Sequence, residues 1–229
     1  KGFTSISEKL DPEDVNDLIS ERRVFLSEEI HRYEGTIAQF LGDGLLALFG
    51  APIAHEDAPQ RALYAALGMR DWLREYAQKL KKQGIECHMR SGLNTGLVVV
   101  GKIGDDLTME YTAMGATVHL APRMESTAQP GTIRVADNTY RLTEGYFDFQ
   151  PLGEIEVKGK KEPVKAYQLL GLGRIKTRLG VSEMRGLTPF VGRQKELGQL
   201  MECYQLAKKG QGQVVGIVGE PGVGKSRLL

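Results

Sequence analysis

The sequence predicts an α+β fold over residues 1–170, followed after a linker by the opening of a second, α/β unit. Three observations carry this. Long segments with apolar residues at helical spacing alternate with short runs of strand character. Their order is helix, two strands, helix, two strands, helix, strand and hairpin, which suits a mixed sheet with helices packed on one face. Near the C-terminal end, Gly219-Glu-Pro-Gly-Val-Gly224-Lys225-Ser226 fits G-x-x-x-x-G-K-[ST].

The first helix opens at Asp11, a good N-cap, with Pro12 at its first helical position. Val15, Leu18, Ile19, Leu26, Ile30 and Tyr33 recur at helical spacing, and Gly35 closes the segment. "GTIAQFLGDGLLALFG" then reads as two apolar strands joined by a Gly-Asp-Gly turn, with Asp43 as its one carboxylate. A second long helix, about residues 57–83, places Ala62, Ala66, Met69, Leu73, Tyr76 and Leu80 on one face and ends at Gly84. "IECHMRSGLNTG" alternates as a half-buried strand does, and "LVVVGKIG" reads as its more fully buried partner. "TVHLAPRMESTAQPG" is a helix ending at Pro130-Gly131, "TIRVAD" a strand, and "EIEVKGKKEPVKAYQLLG" a hairpin with Lys158 in its turn. Residues 171–188 hold too few apolar positions for a core and read as the linker. Residues 189–229 begin the second unit, with a helical stretch and then a buried-strand run over 214–218 that leads into the phosphate loop.

In that loop, Gly219, Gly222 and Gly224 let backbone N–H groups curl round phosphates, Lys225 reaches the terminal ones, and Ser226 ligates magnesium. The acidic residue that would complete such an ATP site belongs to later strands, so the loop alone is not expected to hydrolyse ATP. Lys1 is not a start methionine and Leu229 falls mid-helix, so the sequence reads as a fragment.

Composition excludes several classes. The 229 residues are 41% hydrophobic and 26% charged with a net charge of +1, which gives no basic surface for nucleic acid or an anionic membrane. No apolar run approaches the roughly 18 residues needed to span a bilayer, and no signal peptide is visible. Cys87 and Cys203 lie in different units without ligand spacing, as expected of thiols in a reducing, cytoplasmic setting. His55 and His88 lack a second ligand at helical or strand spacing and read as solvent-facing; Trp72 reads as packing or a dimer contact.

Four charged residues interrupt apolar patterns in the first unit: Asp43, Arg90, Arg123 and Lys158. Singly, each has a structural reading as an acidic turn residue, a salt bridge or a snorkelling side chain. Together, one carboxylate and three cations rising from loop ends over one sheet make a site for a metal ion and a polyphosphate.

Five segments in order, "KGFTSISEKL", "FLGDGLLALFG", "MRSGLNTGLVVVGKIG", "EYTAMGATVHLAPRMES" and "EVKGKKEPVKAYQL", resemble the catalytic domain of class III adenylate/guanylate cyclases over residues 1–170. "FVGRQKEL" and the phosphate loop resemble the opening of AAA- and STAND-type signalling ATPases, an arrangement similar to that of bacterial cyclases followed by a large ATPase. The resemblance implies a ferredoxin-like βαββαβ core that works as a head-to-tail homodimer. Two Mg2+ or Mn2+ ions per site would be held by two aspartates, converting ATP to cyclic AMP and pyrophosphate for intracellular signal transduction.

By the same resemblance, Asp43 matches the second metal aspartate, Arg90 a ligand of the β- and γ-phosphates, Lys158 a triphosphate ligand from the partner chain, and Arg123 the transition-state arginine. Thr112 falls where the family places a base-reading Asp or Thr. Gln39 stands where a lysine usually reads the adenine, and His119 where an asparagine usually orients the ribose. Pro122 sits beside Arg123, where it removes a backbone hydrogen bond unless it lies in the first turn. The first metal aspartate is expected two residues before Lys1, so this fragment by itself is expected to be inactive or nearly so. The alternative is a degenerate, cyclase-like nucleotide-binding and dimerisation module serving a signalling ATPase.

Overall fold

The structure, a computed structural model, describes residues 11–82, 85, 87–103, 110–156, 162–175, 178–184, 186–187, 189, 191–220 and 223–228. The chain divides into two compact units, Lys1–Arg174 and Ile175–Leu229. In the first, the elements are α1 (Pro12–Arg32), β1 (Gly35–Leu41), β2 (Gly44–Phe49), α2 (Ala58–Lys81), β3 (Ser91–Leu93), β4 (Val99–Ile103), β5 (Glu110–Met114), α3 (Ala116–Thr127), β6 (Ile133–Ala136), α4 (Asp137–Thr143), β7 (Phe147–Ile155) and β8 (Val164–Leu172). The second holds α5 (Arg178–Met184), α6 (Gln194–Lys208) and α7 (Lys225–Leu228).

Among the described residues the strands form three sheets. β1 and β2 make an antiparallel hairpin, β4 and β5 a second one, and β3-β6-β8-β7 a four-stranded sheet in which only β3 and β6 run parallel. Alternation along β6 sets the core. Ile133 and Val135 face α2, packing with Leu63, Ala66, Leu67, Phe147 and Leu169. Ala136 points to the other face, where it meets Ala166 and the Leu120 and Met124 side chains of α3. Each fully buried Leu or Ile contributes about 1.5–3 kcal/mol. The expectation of one mixed sheet covered on one face is therefore corrected: the four-stranded sheet carries a helix on each face, α2 over Ile133 and Val135 and α3 over Ala136.

Close approach of α3 to β3 depends on a glycine. A Cβ on Gly92 would lie 2.1 Å from the Glu125 nitrogen and 2.3 Å from the Ala121 carbonyl oxygen. Residue 92 can therefore bear no side chain without displacing the helix.

Several sequence expectations shift. Asp11 occupies the N-cap position, but its side chain makes no capping bond. The residue that turns the chain after α1 is Glu34, at φ 58°, not Gly35, which instead lets the Phe49 ring and Ile30 pack close. "LVVVGKIG" pairs with β5 rather than with the preceding strand, and it is not buried: Leu97 is 95% and Val99 70% exposed. β3 is only three residues long. In the second unit, residues 214–218 form no strand; Val214 and Val218 stand free of packing, and the described residues of that unit offer no strand to pair with. The predicted linker is also partly structured, since β8 runs to Leu172 and α5 lies within it. The turn with Lys158, the position of Gly222 and the segment "KGFTSISEKL" lie outside the described residues.

Candidate active site

Asp43 sits in a two-residue hairpin loop. Leu41 pairs with Gly44, and Gly42 takes φ 60° in the first of the two loop positions, as a type II′ turn requires. Glycine is there for that backbone angle, since nothing lies within 4 Å of where its Cβ would be. The loop projects into solvent, so the carboxylate is exposed. Two arginines of α1 hold the loop from behind: Arg23 donates to the Gly42 carbonyl at 2.9 Å and Arg22 to the Asp43 carbonyl at 3.3 Å. Sequence reading missed both. Mid-helix arginines on an amphipathic segment read as a solvated face, and only the fold shows them reaching the turn.

Arg90, directly before β3, does meet an anion. Its Nη2 lies 2.8 Å from Glu125 Oε1, and its Nη1 donates to the Ser126 carbonyl at 3.2 Å. Both partners lie on α3, so Arg90 ties the strand entrance to that helix. The pair is partly exposed and stabilises by about 0.2–1 kcal/mol, small enough for a ligand to displace. Glu125 was not singled out in the sequence, although it lies two residues after Arg123.

Arg123 and His119 are both exposed on α3, four residues apart and so on one face. Among the described residues, neither side chain has a hydrogen-bond or ion-pair partner. Pro122 is in the helix interior, outside the first turn, so the Val118 carbonyl loses its intrahelical donor there. Gln39 is exposed on β1 at the register shift of the hairpin. Thr112 is on β5 opposite Gly101.

One chain does not gather these groups over a single sheet, as the sequence suggested. Asp43 rises from the β1–β2 ladder, Arg90 lies at the edge of the four-stranded sheet, and Arg123 stands on the helix above it; among the described residues no hydrogen bond or ion pair links Asp43 with either arginine. Among the described residues β1 and β5, which carry Gln39 and Thr112, approach one another. His55 is also corrected: its imidazole is half-buried, with Nε2 2.9 Å from Glu34. Trp72 packs, stacking on Phe25 and Tyr76.

The family model for the adenylate and guanylate cyclase catalytic domain matches residues 1–171. The chain belongs to this cyclase family. It is 34% identical over 175 residues to Adenylate cyclase 1 of Rhizobium meliloti (strain 1021), a match that takes in 75% of this chain. The chain spans only 26% of that relative's length. The adenylyl cyclase CyaB from P. aeruginosa is similar in structure at a TM-score of 0.70 and 34% identity, over 76% of this chain and 91% of that one. The guanylyl cyclase Cya2 is similar at a TM-score of 0.68 and 35% identity, over 76% and 89% respectively. Likeness to an adenylyl and to a guanylyl cyclase is thus nearly equal, and the choice of base rests on individual residues.

Asp43 is a hard, exposed carboxylate of the kind Mg2+ and Mn2+ take, and it fits as one ligand of such an ion. No cluster of three or more His, Cys, Asp or Glu exists among the described residues. A cavity of about 280 Å³ between α2 and the entrances of β3 and β6 is lined by Arg74, Cys87 and Met89 and includes none of the sequence-predicted site residues. No helix among the described residues is long and apolar enough to cross a membrane.

In the second unit, Gly224 takes φ 89° and Lys225 begins α7. The Lys225 ammonium donates to the carbonyls of Gly219 and Glu220, both at 2.8 Å. Ser226 follows, exposed, on the same short helix.

Proposed function

We propose that this domain is the catalytic part of an adenylate cyclase that converts ATP to 3′,5′-cyclic AMP and pyrophosphate in the cytoplasm. Its sites would be shared between two chains arranged head to tail around the ferredoxin-like core, and its output coupled to an ATP-binding regulatory unit that begins with the phosphate loop. The observation that carries this reading is the placement of Asp43, exposed at a hairpin tip, in a chain matched to the cyclase family over residues 1–171. The scatter of the other site residues over separate elements supports a site completed by a second copy. So do exposed apolar side chains on the hairpins: Val99 and Met114 lie opposite one another and Leu97 two residues ahead.

Each residue then has a stated task. A bound Mg2+ or Mn2+ ion would neutralise phosphate charge and make the ribose 3′-hydroxyl more acidic. Asp43 holds that ion as one of its ligands. Arg90 exchanges Glu125 for the β- and γ-phosphates, and Lys158 of the second copy adds its charge to the triphosphate. Arg123, exposed and without a side-chain partner among the described residues, stabilises charge on the α-phosphate as the 3′-oxygen attacks and pyrophosphate leaves. His119, on the same face of α3, donates to the ribose. Gln39 and Thr112 read the base, the amide of Gln39 donating to adenine N1. In the second unit, ATP phosphates displace the two carbonyls that hold Lys225, with Ser226 on the metal ion.

The second reading, a degenerate module that binds nucleotide and dimerises without turnover, is favoured by Pro122 in the interior of α3 and by the occupied Arg90. An assay of the full-length protein with ATP or GTP and Mg2+ or Mn2+ separates them. Equimolar cyclic AMP and pyrophosphate, formed faster than the guanine products, are expected. Nucleotide binding with neither product would support the second reading.

A further inference from the structure

Arg22 and Arg23 of α1 both reach the loop that carries Asp43. A two-residue hairpin loop leaves its two central carbonyls without ladder partners, and these ordinarily face water. Here both are taken by one helix. The Gly42 carbonyl belongs to the peptide plane before the Asp43 Cα, and the Asp43 carbonyl to the plane after it. Arg23 holds the first at 2.9 Å and Arg22 the second at 3.3 Å. With both planes fixed, φ and ψ of Asp43 are fixed, and with them the direction in which its carboxylate leaves the backbone.

The clamp is itself anchored. The Arg23 guanidinium lies 5.1 Å from the centroid of the Phe40 ring, two residues before the loop. The other nitrogen of Arg22 reaches the buried thiol of Cys87 at 3.8 Å. The helix that carries them is pinned by Leu26 and Ile30, both buried, and by the bond from the Tyr76 hydroxyl to Glu21 at 2.8 Å. A loop that would otherwise flex in solvent is therefore tied to the core through two consecutive side chains.

We infer that Arg22 and Arg23 are positioning residues that hold Asp43 in the orientation its metal ion requires. The inference deepens the cyclase reading and, for its consequence on metal binding, rests on it. The guanidinium forks matter for geometry as well as charge, so lysine should substitute only in part.

The test compares Arg22→Gln/Arg23→Gln and Arg22→Lys/Arg23→Lys with the wild type. In the 229-residue chain, 15N order parameters at Asp43 and Gly44 should fall in the glutamine variant from a rigid value of about 0.85 to about 0.6 or below. In the full-length protein, the Mn2+ concentration for half-maximal cyclase activity should rise about tenfold, while kcat at saturating Mn2+ changes little; the lysine variant should lie between. Unchanged order parameters at these two residues, with melting temperature preserved, would overturn the inference. If the double glutamine variant does not fold, Arg23→Gln alone decides it, since that side chain is exposed and its loss leaves the core intact. Should the wild type make no cyclic nucleotide, the cyclase reading fails, while the order parameters still decide whether the clamp exists.

Discussion

Asp43 and Arg90 were legible as candidates because a charge inside an apolar pattern is costly to keep without a use. Their surroundings were not. Arg90 has Glu125 and Asp43 has two arginines behind its backbone, and both partnerships cross 19 or more residues of sequence. Tyr140 shows how far such a contact moves a group. Its hydroxyl donates to Glu144 Oε1 at 2.5 Å, and this bond to a carboxylate, with burial second, pushes the phenol up to about 12. The unfolded value is about 10. Because the folded value is the higher one, the contribution is fully present below pH 10 and is lost as pH rises toward 12. Tyr140→Phe should flatten the alkaline decline in urea-unfolding stability across that window. An ultraviolet titration in which Tyr140 ionises near its ordinary value would contradict the assignment.

At the scale of elements, α1, β1, β2, α2, α3, β6 and β8 were readable because each is long or strongly periodic, or is bounded by turn residues, whereas β7 was anticipated only at its last two residues, Glu154 and Ile155. The misses have physical causes. α4 has seven residues, too few for a helical period to register, and β5 lies in an exposed ladder where alternation carries no burial signal. Residues 214–218 show the converse: an apolar run states what a partner strand would bury, not that the partner is present. The seat of α3 on β3, by contrast, hangs on one residue that no periodicity marks. Gly92→Ala should destabilise the domain by about 3 kcal/mol, the upper end for overpacking, because the atoms it meets are backbone and cannot rotate away. Urea denaturation monitored by circular dichroism measures this, and a loss under about 0.5 kcal/mol would mean that α3 shifts freely.

For the whole molecule, the sequence motifs carried the family, while the described residues of one chain leave the sequence-predicted site residues apart. Asp43, Arg90 and Arg123 stand on separate elements, and a periodicity argument has no means of showing which of their faces a second chain would cover in the proposed dimer. Under the proposed dimer, Leu97→Asp should convert the protein to monomers in sedimentation velocity and remove most turnover, with secondary structure unchanged because the side chain is 95% exposed in the single chain. Retention of both dimer and activity would place the interface elsewhere. The central claim, that Asp43 holds a catalytic metal ion, is tested most directly by Asp43→Asn in the full-length protein, with cyclic AMP and pyrophosphate measured together from ATP and Mn2+. The expected result is equimolar products from the wild type and a fall of about a hundredfold or more in the variant. Turnover undiminished by the substitution would contradict it.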